Sequence, residues 1–334
     1  MSFGSHREVR LVRRPSGPLR DGDLGVVEVP VPRPGTGEVL VRNRMMSVTA
    51  VMRSLMDGEI GLPMPSYEPG QVLWGPAVGE VVEVGDTDLA PGDLVVHQQG
   101  WREYAVVEAA AVRPVDPRAL PDLAGHLSQG VTAWLGVVRG GEVRQCDTVF
   151  VTGASGGVGS LAGQIARMRG ATRVIGSTGS PAKVDYLIGE LGYDAVVVRG
   201  EGGIEEQLRS AAPDGIDVVF DNVGGEQLVA ALAVARHGAR VALVGTMSSQ
   251  ASGGFSAPVE IDTGALIMRG IKLHGFAVAD HLDAVAEATR EFGRGLAEGA
   301  IVFPHSRLSG IDEAPRALRE LLGGRHIGTV VVEL

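Results

Sequence analysis

The chain has 334 residues, a formal net charge of −10 at pH 7 and one cysteine, Cys146. That length implies two domains rather than one, and the acidic balance argues against a nucleic-acid footprint, which needs a basic face. A single cysteine excludes an intrachain disulfide and leaves a cysteine-based zinc site with one ligand. No stretch reads as a transmembrane run, and the N-terminus lacks the charged-then-apolar pattern of a signal peptide, so a cytoplasmic protein is expected.

To about residue 125 the chain reads as short strands punctuated by glycine and proline, as in VEVPVPRPGTGEVLVRNRMMSV, GPAVGEVVEVG and PGDLVVHQQGWREYAVVE. Strands at that spacing predict a small barrel or sandwich. From about residue 126 the rhythm changes to alternating strand and helix. Val149–Thr152 is a predicted strand, followed by a helix over Val158–Met168. Arg173–Ser177 is the second strand, and a helix starts near Pro181 with Ser180 as its N-cap. Ala195–Val198 and Ile216–Phe220 are the third and fourth strands, and Glu226–Arg236 is a helix. Arg240–Gly245 and Ile271–Val278 are the fifth and sixth strands, before an amphipathic helix in DHLDAVAEATREFGRGLAEG. The last segment, SRLSGIDEAPRALRELLGGRHIGTVVVEL, returns to strand, short helix, strand.

The most informative stretch is TVFVTGASGGVGS, from Thr148 to Ser160. A β-branched run breaks into a glycine-rich turn and then a helix. That arrangement brings backbone N–H groups and a helix N-terminus up to a pyrophosphate. Gly153, Gly156 and Gly159 form the turn, and the alternative is a tight strand–helix connection without a ligand. At the end of the second strand, Ser177, Thr178, Gly179, Ser180 and Lys183 present hydroxyls and a cation but no carboxylate. An acidic residue there would bind ribose hydroxyls, whereas this set suits a 2′-phosphate. Arg199, after the third strand, offers a second cation; the alternative for both cations is solvated surface charge. Asn222 after the fourth strand, Val244, Gly245 and Thr246 after the fifth, and Phe276, Ala277 and Val278 at the sixth lie where open α/β sheets bind ligands. Asn222 could instead cap the next helix. The eight histidines form no tight ligand cluster, and Ser155 in GASGG lacks acid and histidine partners for a nucleophile elbow.

These motifs, with GVTAWLGV, GSPAKVDYL and FDNVGGE, run in order through nearly the whole chain. In them it resembles the zinc-independent medium-chain dehydrogenase/reductase superfamily, and within it the leukotriene B4 12-hydroxydehydrogenase/prostaglandin reductase group of NADP-dependent alkenal double-bond reductases. The resemblance implies an α/β fold: a Rossmann doubly wound parallel sheet plus a GroES-like β-barrel-type catalytic domain. It assigns residues 1–125 to the catalytic domain, 126–299 to the NADP-binding domain and 300–334 to a segment returning to the catalytic domain. NADPH is the implied cofactor, a small molecule the substrate and a homodimer the assembly, with neither nucleic acid nor membrane as partner. The family's zinc-dependent relatives carry a Gly-His-Glu motif, where this chain has Leu73-Trp74-Gly75-Pro76. The implied cofactor residues are Thr132; Ala154, Ser155, Gly156, Gly157, Val158, Gly159 and Ser160; Lys183; Asn222; Val244, Gly245, Thr246 and Met247; Phe276, Ala277 and Val278; and His326.

The chain departs from the family where substrate binds. A family tyrosine near the loop after the fifth strand is Gln250 here, one in an early S-V-x-x-Y-M-R motif is Val51, one after the third strand is Arg199, and a late asparagine is His326. The expected reaction is hydride delivery from C4 of NADPH to the β-carbon of an activated alkene. Gln250 is the candidate donor to the developing enolate oxygen. Solvent is the simplest proton source, with Tyr67 and His326 as alternatives that could equally be a packed aromatic and a structural hydrogen bond. Quinone or carbonyl reduction, a dedicated biosynthetic reductase and an NADPH-binding protein without turnover are the competing readings.

Overall fold

The computed structural model describes residues 4–58, 61, 64–116, 119–251 and 253–334. Fifteen strands are defined among them. The N-terminal part supplies β1 (Ser5–Leu11), β2 (Leu24–Pro30), β3 (Glu38–Val48), β4 (Ala77–Val84), β5 (Leu94–His97), β6 (Tyr104–Glu108) and β7 (Arg113–Pro114). The middle supplies β8 (Thr148–Val151), β9 (Arg173–Thr178), β10 (Ala195–Val198), β11 (Ile216–Asp221), β12 (Ala235–Leu243) and β13 (Lys272–Gly275). The end supplies β14 (His305–Ser309) and β15 (Thr329–Glu333).

The middle strands form one parallel sheet in the order β10-β9-β8-β11-β12-β13. Numbered along this segment that is 3-2-1-4-5-6, the doubly wound order, which reverses direction beside β8. The central strand β8, TVFV, reads as an apolar run because helices cover both faces. Alternate residues go to opposite cores: Val149, Val151, Val218 and Phe220 join one with Leu161, Ile165 and Phe292, while Phe150, Val219 and Val241 join the other with Leu208, Leu228 and Leu232. The helix Gly159–Met168 buries Leu161, Ala162, Ile165 and Ala166 on the first of these faces.

The N-terminal strands make a second sheet in the order β14-β15-β3-β4-β5-β7, with β6 also on β3. β15 lies antiparallel to β3, Val330 opposite Val48. The helix Ala314–Leu322, with Pro315 in its first turn, buries Ala314, Ala317 and Leu318 against Val9, Leu11, Met46 and Leu55. The chain therefore leaves the N-terminal sheet, builds the parallel sheet and comes back. No helix among the described residues is long and apolar enough to cross a membrane.

Several boundaries differ from the sequence reading. The fifth parallel strand starts at Ala235, not Arg240, because Ala235 turns extended (φ −61°, ψ 140°) and ends the preceding helix at Val234. The sixth stops at Gly275, and a 3-10 segment with a kink at His281 follows. Ser180 makes no side-chain cap; a 3-10 turn over Pro181–Lys183 leads into the helix Val184–Gly189. The helices absent from the sequence reading include Ile204–Ala211, and Thr263–Arg269, which Asp262 caps by accepting from the Ala265 amide at 3.1 Å.

Candidate functional site

The parallel strands end at one edge, and the residues singled out from the sequence gather there. β8 runs into a turn whose first glycine, Gly153, has φ +63°. The turn closes where Gly159 meets Gly153: a Cβ on Gly159 would lie 2.3 Å from the Gly153 carbonyl oxygen and 2.9 Å from Ala154 Cα. No side chain fits. The Gly153 amide donates to Ser177 Oγ at 3.0 Å, and the Ala154 amide to the Ser177 carbonyl at 2.8 Å. Among the described residues, the Val158 amide, just before the helix Gly159–Met168, donates to no backbone carbonyl, while Gly156 bridges to Gly328 in parallel register. A Cβ on Gly157 would lie 2.2 Å from Gln129 Oε1. Bare backbone, the free Val158 amide and a helix N-terminus form a cradle that fits a pyrophosphate.

The 2′-phosphate candidates divide. Ser177 is buried, and its hydroxyl donates to Gln227 Oε1 at 2.5 Å while accepting from Gly153. It braces the turn, which corrects the expectation of a free donor. Thr178 Oγ1 accepts from the Ser180 amide at 3.2 Å and lies 3.4 Å from Ser155 Oγ. Arg199 is exposed, and its guanidinium lies over Gly179, 3.0 Å from where a Cβ would stand. Lys183 is not the solvated charge of the alternative reading. It is 8% exposed, and Nζ donates to the carbonyls of Gly324 at 2.6 Å and His326 at 2.5 Å. Burial lowers its pKa from the usual lysine value. An ammonium has three donors, so one remains for an anion.

At the ends of β11 and β12 the donors are neutral. Asn222 does not cap the next helix; its Nδ2 donates to the Thr152 carbonyl at 3.0 Å. Beneath it the buried Asp221 accepts from Thr152 Oγ1 at 2.7 Å and from the Gly224 amide at 3.0 Å. Burial raises the Asp221 pKa, and these hydrogen bonds oppose the rise. Val244 and Gly245 donate to the Asp221 carbonyl, and Met247 to that of Asn222. The Thr246 hydroxyl is buried without a partner among the described residues. Gln250 ends the short helix Met247–Gln250 at 8% exposure. Phe276 stacks on His281, ring centroids 4.7 Å apart; Ala277 is exposed and Val278 half-buried. Thr132 is half-buried on the helix Gly130–Leu135.

Two proton-donor expectations are corrected. The Tyr67 hydroxyl donates to the Trp74 carbonyl at 2.7 Å, and burial pushes its pKa up, so it is a packed and satisfied aromatic. His326 stands beside Lys183, with Nε2 3.1 Å from Glu320 Oε2, and burial lowers its pKa. Lys183 follows β9, whereas Gln250 follows β12, three positions along in the sheet. At strand spacing that is about 14 Å, so His326 lies at the Lys183 end of the sheet and not beside Gln250. Part of the loop from Gly58 to Tyr67 lies outside the described residues.

Sequence reasoning missed the groups behind the cradle. Gln129 accepts from Thr329 Oγ1 at 2.8 Å, and the Gly328 amide donates to the Ser155 carbonyl at 2.9 Å. The segment before β15 thus docks on the turn. Only contacts distant in sequence show this, and no local pattern encodes it.

Comparison with known proteins agrees with this geometry. Residues 7–115 match a family described as the N-terminal domain of oxidoreductase, and residues 157–293 one described as zinc-binding dehydrogenase. No group of three or more potential metal ligands lies together among the described residues. The chain is 33% identical over 342 residues to an NADP-dependent 2-alkenal reductase of Nicotiana tabacum, covering 98% of this chain and 97% of that protein. It is 31% identical over 339 residues to an NADPH-dependent curcumin reductase of Escherichia coli, covering 97% and 95%. The crystal structure of CurA in complex with NADPH from Vibrio vulnificus superposes with a TM-score of 0.90 at 28% identity, over 98% of each chain.

The closure at Gly159 is testable. Gly159→Ala forces a methyl against backbone that cannot yield, so NADPH binding measured by titration calorimetry should be lost in a variant whose circular dichroism stays native. Binding at wild-type affinity would contradict the cradle.

Proposed function

The chain belongs to the zinc-independent, NADP-dependent branch of the medium-chain dehydrogenase/reductase family, and on that premise we propose that it reduces the carbon–carbon double bond of α,β-unsaturated carbonyl compounds. NADPH, when bound, supplies the hydride to the β-carbon. The observation that carries the reading is the neutral character of the groups after β11 and β12: Asn222, Thr246 and Gln250. Hydride addition to the β-carbon puts charge on an enolate oxygen, less basic than the alkoxide of carbonyl reduction. Neutral donors suffice to stabilise it. Gln250 offers the amide donor. It cannot release a proton near neutrality, so the α-carbon takes its proton from solvent. The full-length similarity to a 2-alkenal reductase supports the same choice. Quinone reduction on the same scaffold is the second reading, and turnover of quinones alone in a panel of enones, quinones and ketones would favour it.

In this proposal the cradle Ala154–Ser160 takes the pyrophosphate, Lys183 and Arg199 take the 2′-phosphate with Ser155 and Ser180, and Thr132, Asn222, Val244 to Met247 and Phe276 to Val278 line the nicotinamide half. The division at 125/126 and 299/300 is proposed with it and is supported by the pairing of β15 with β3. We place the enzyme in the cytoplasm as a homodimer. β13 is an edge strand with exposed residues, and Ile267 and Met268 beside it are 78% and 79% exposed. An unpaired edge next to exposed apolar side chains favours association.

Three results are expected. Lys183→Ala should weaken NADPH binding roughly ten- to hundredfold and leave NADH binding nearly unchanged, because a charge-assisted phosphate contact contributes about 1.5–3 kcal/mol; equal loss for both cofactors would remove Lys183 from the phosphate site. Gln250→Ala should lower kcat at least tenfold with NADPH affinity unchanged, as deletion of one oxyanion donor does elsewhere; an unaltered rate would remove Gln250 from the mechanism. Met268→Glu should halve the mass seen by sedimentation, and a monomeric wild type would end the dimer proposal.

A further inference from the structure

The helix Val51–Ser54 and the turn Leu55–Asp57 come from the N-terminal part of the chain. The loop that carries Gln250 comes from the parallel-sheet part. Ser54 Oγ donates to the Gly254 carbonyl at 2.6 Å, and the Gly254 amide donates to Asp57 Oδ2 at 2.7 Å. The other Asp57 oxygen pairs with Arg53 Nη1 at 2.7 Å. Arg53 is 1% exposed, and its Nε donates to the Gly17 carbonyl at 3.1 Å. Gly253 lies against this ion pair: at φ +102°, a Cβ there would be 2.6 Å from Arg53 Nη2 and 2.8 Å from Asp57 Oδ2. The Gly253 amide in turn donates to the Gln250 carbonyl at 3.3 Å.

We propose that Ser54 and Asp57 are positioning residues: they latch the backbone of Gly254, four residues beyond Gln250, and so fix where the Gln250 amide meets the substrate. Three features support this. The two hydrogen bonds join segments about 200 residues apart and hold both the carbonyl and the amide of one residue, Gly254. One of them is charge-assisted, which makes it short and directional. The carboxylate is itself oriented by a guanidinium that is anchored on a third segment, so the latch is rigid on the N-terminal side and holds the far end of a loop whose start is fixed by the Met247 and Ser248 amides on the Asn222 and Val223 carbonyls. The role assigned to Gln250 rests on the proposed reductase function; the latch does not.

Amide hydrogen exchange and steady-state kinetics on the full chain test it. Asp57→Ala strips Arg53 of its carboxylate and can unfold the protein, so Asp57→Asn and Ser54→Ala are compared with wild type. Ser54→Ala leaves the ion pair intact. Exchange in peptides spanning 247–254 should accelerate about tenfold for loss of one such bond, while peptides spanning 153–160 stay as in wild type. NADPH affinity should be unchanged, and kcat for a 2-alkenal should fall more than KM rises. Wild-type exchange in 247–254 in a folded Ser54→Ala variant would overturn the latch, as would uniform acceleration through the chain, the mark of a purely structural role. A wild-type protein that turns over no enone would sink the proposed function, and exchange would still decide the latch.

Discussion

The close approach of Gly159 to the Gly153 carbonyl governs the site. It fixes the direction in which the helix Gly159–Met168 leaves β8, and with it the free amide of Val158. The surroundings are built to hold that turn: Ser177 from β9 supports it from one side, Asn222 and Asp221 link to Thr152 from another, and the Gly328 amide closes it from the C-terminal segment. A dinucleotide needs backbone within contact distance of its phosphates, and only side-chain-free positions allow that.

The two sheets are joined through the same edge. Lys183 reaches from the end of β9 to the carbonyls of Gly324 and His326, Thr329 bonds Gln129, and Ser54 and Asp57 hold Gly254. The residues proposed to hold the cofactor and the contacts between the two sheets are therefore partly the same. Lys183 shows the consequence: its position is set before any ligand arrives, which lowers the entropy lost on binding.

Much of this was legible in the residues. The parallel strands announce themselves because both faces are buried, so Val149, Phe150 and Val151 are all apolar. The glycine turn is legible because steric exclusion leaves no other residue type at Gly159. The helix Ile204–Ala211 escaped because it buries only Ile204 and Leu208 and is otherwise charged and polar. Side-chain commitments escaped for a different reason. Whether Ser177 faces a phosphate or Gln227, and whether the Tyr67 hydroxyl is free or bonded to Trp74, depends on residues far away in sequence. Of the two roles offered for His326, the structure separates it from Gln250 and leaves it beside Lys183, which chain order alone does not reveal.

The most direct test of the account is consumption of NADPH, beside NADH, with a small conjugated 2-alkenal, followed by mass and magnetic-resonance analysis of the product. The account predicts strong preference for NADPH and two hydrogens gained across the carbon–carbon double bond with the carbonyl intact. An unsaturated alcohol as product, or turnover confined to quinones, would contradict it.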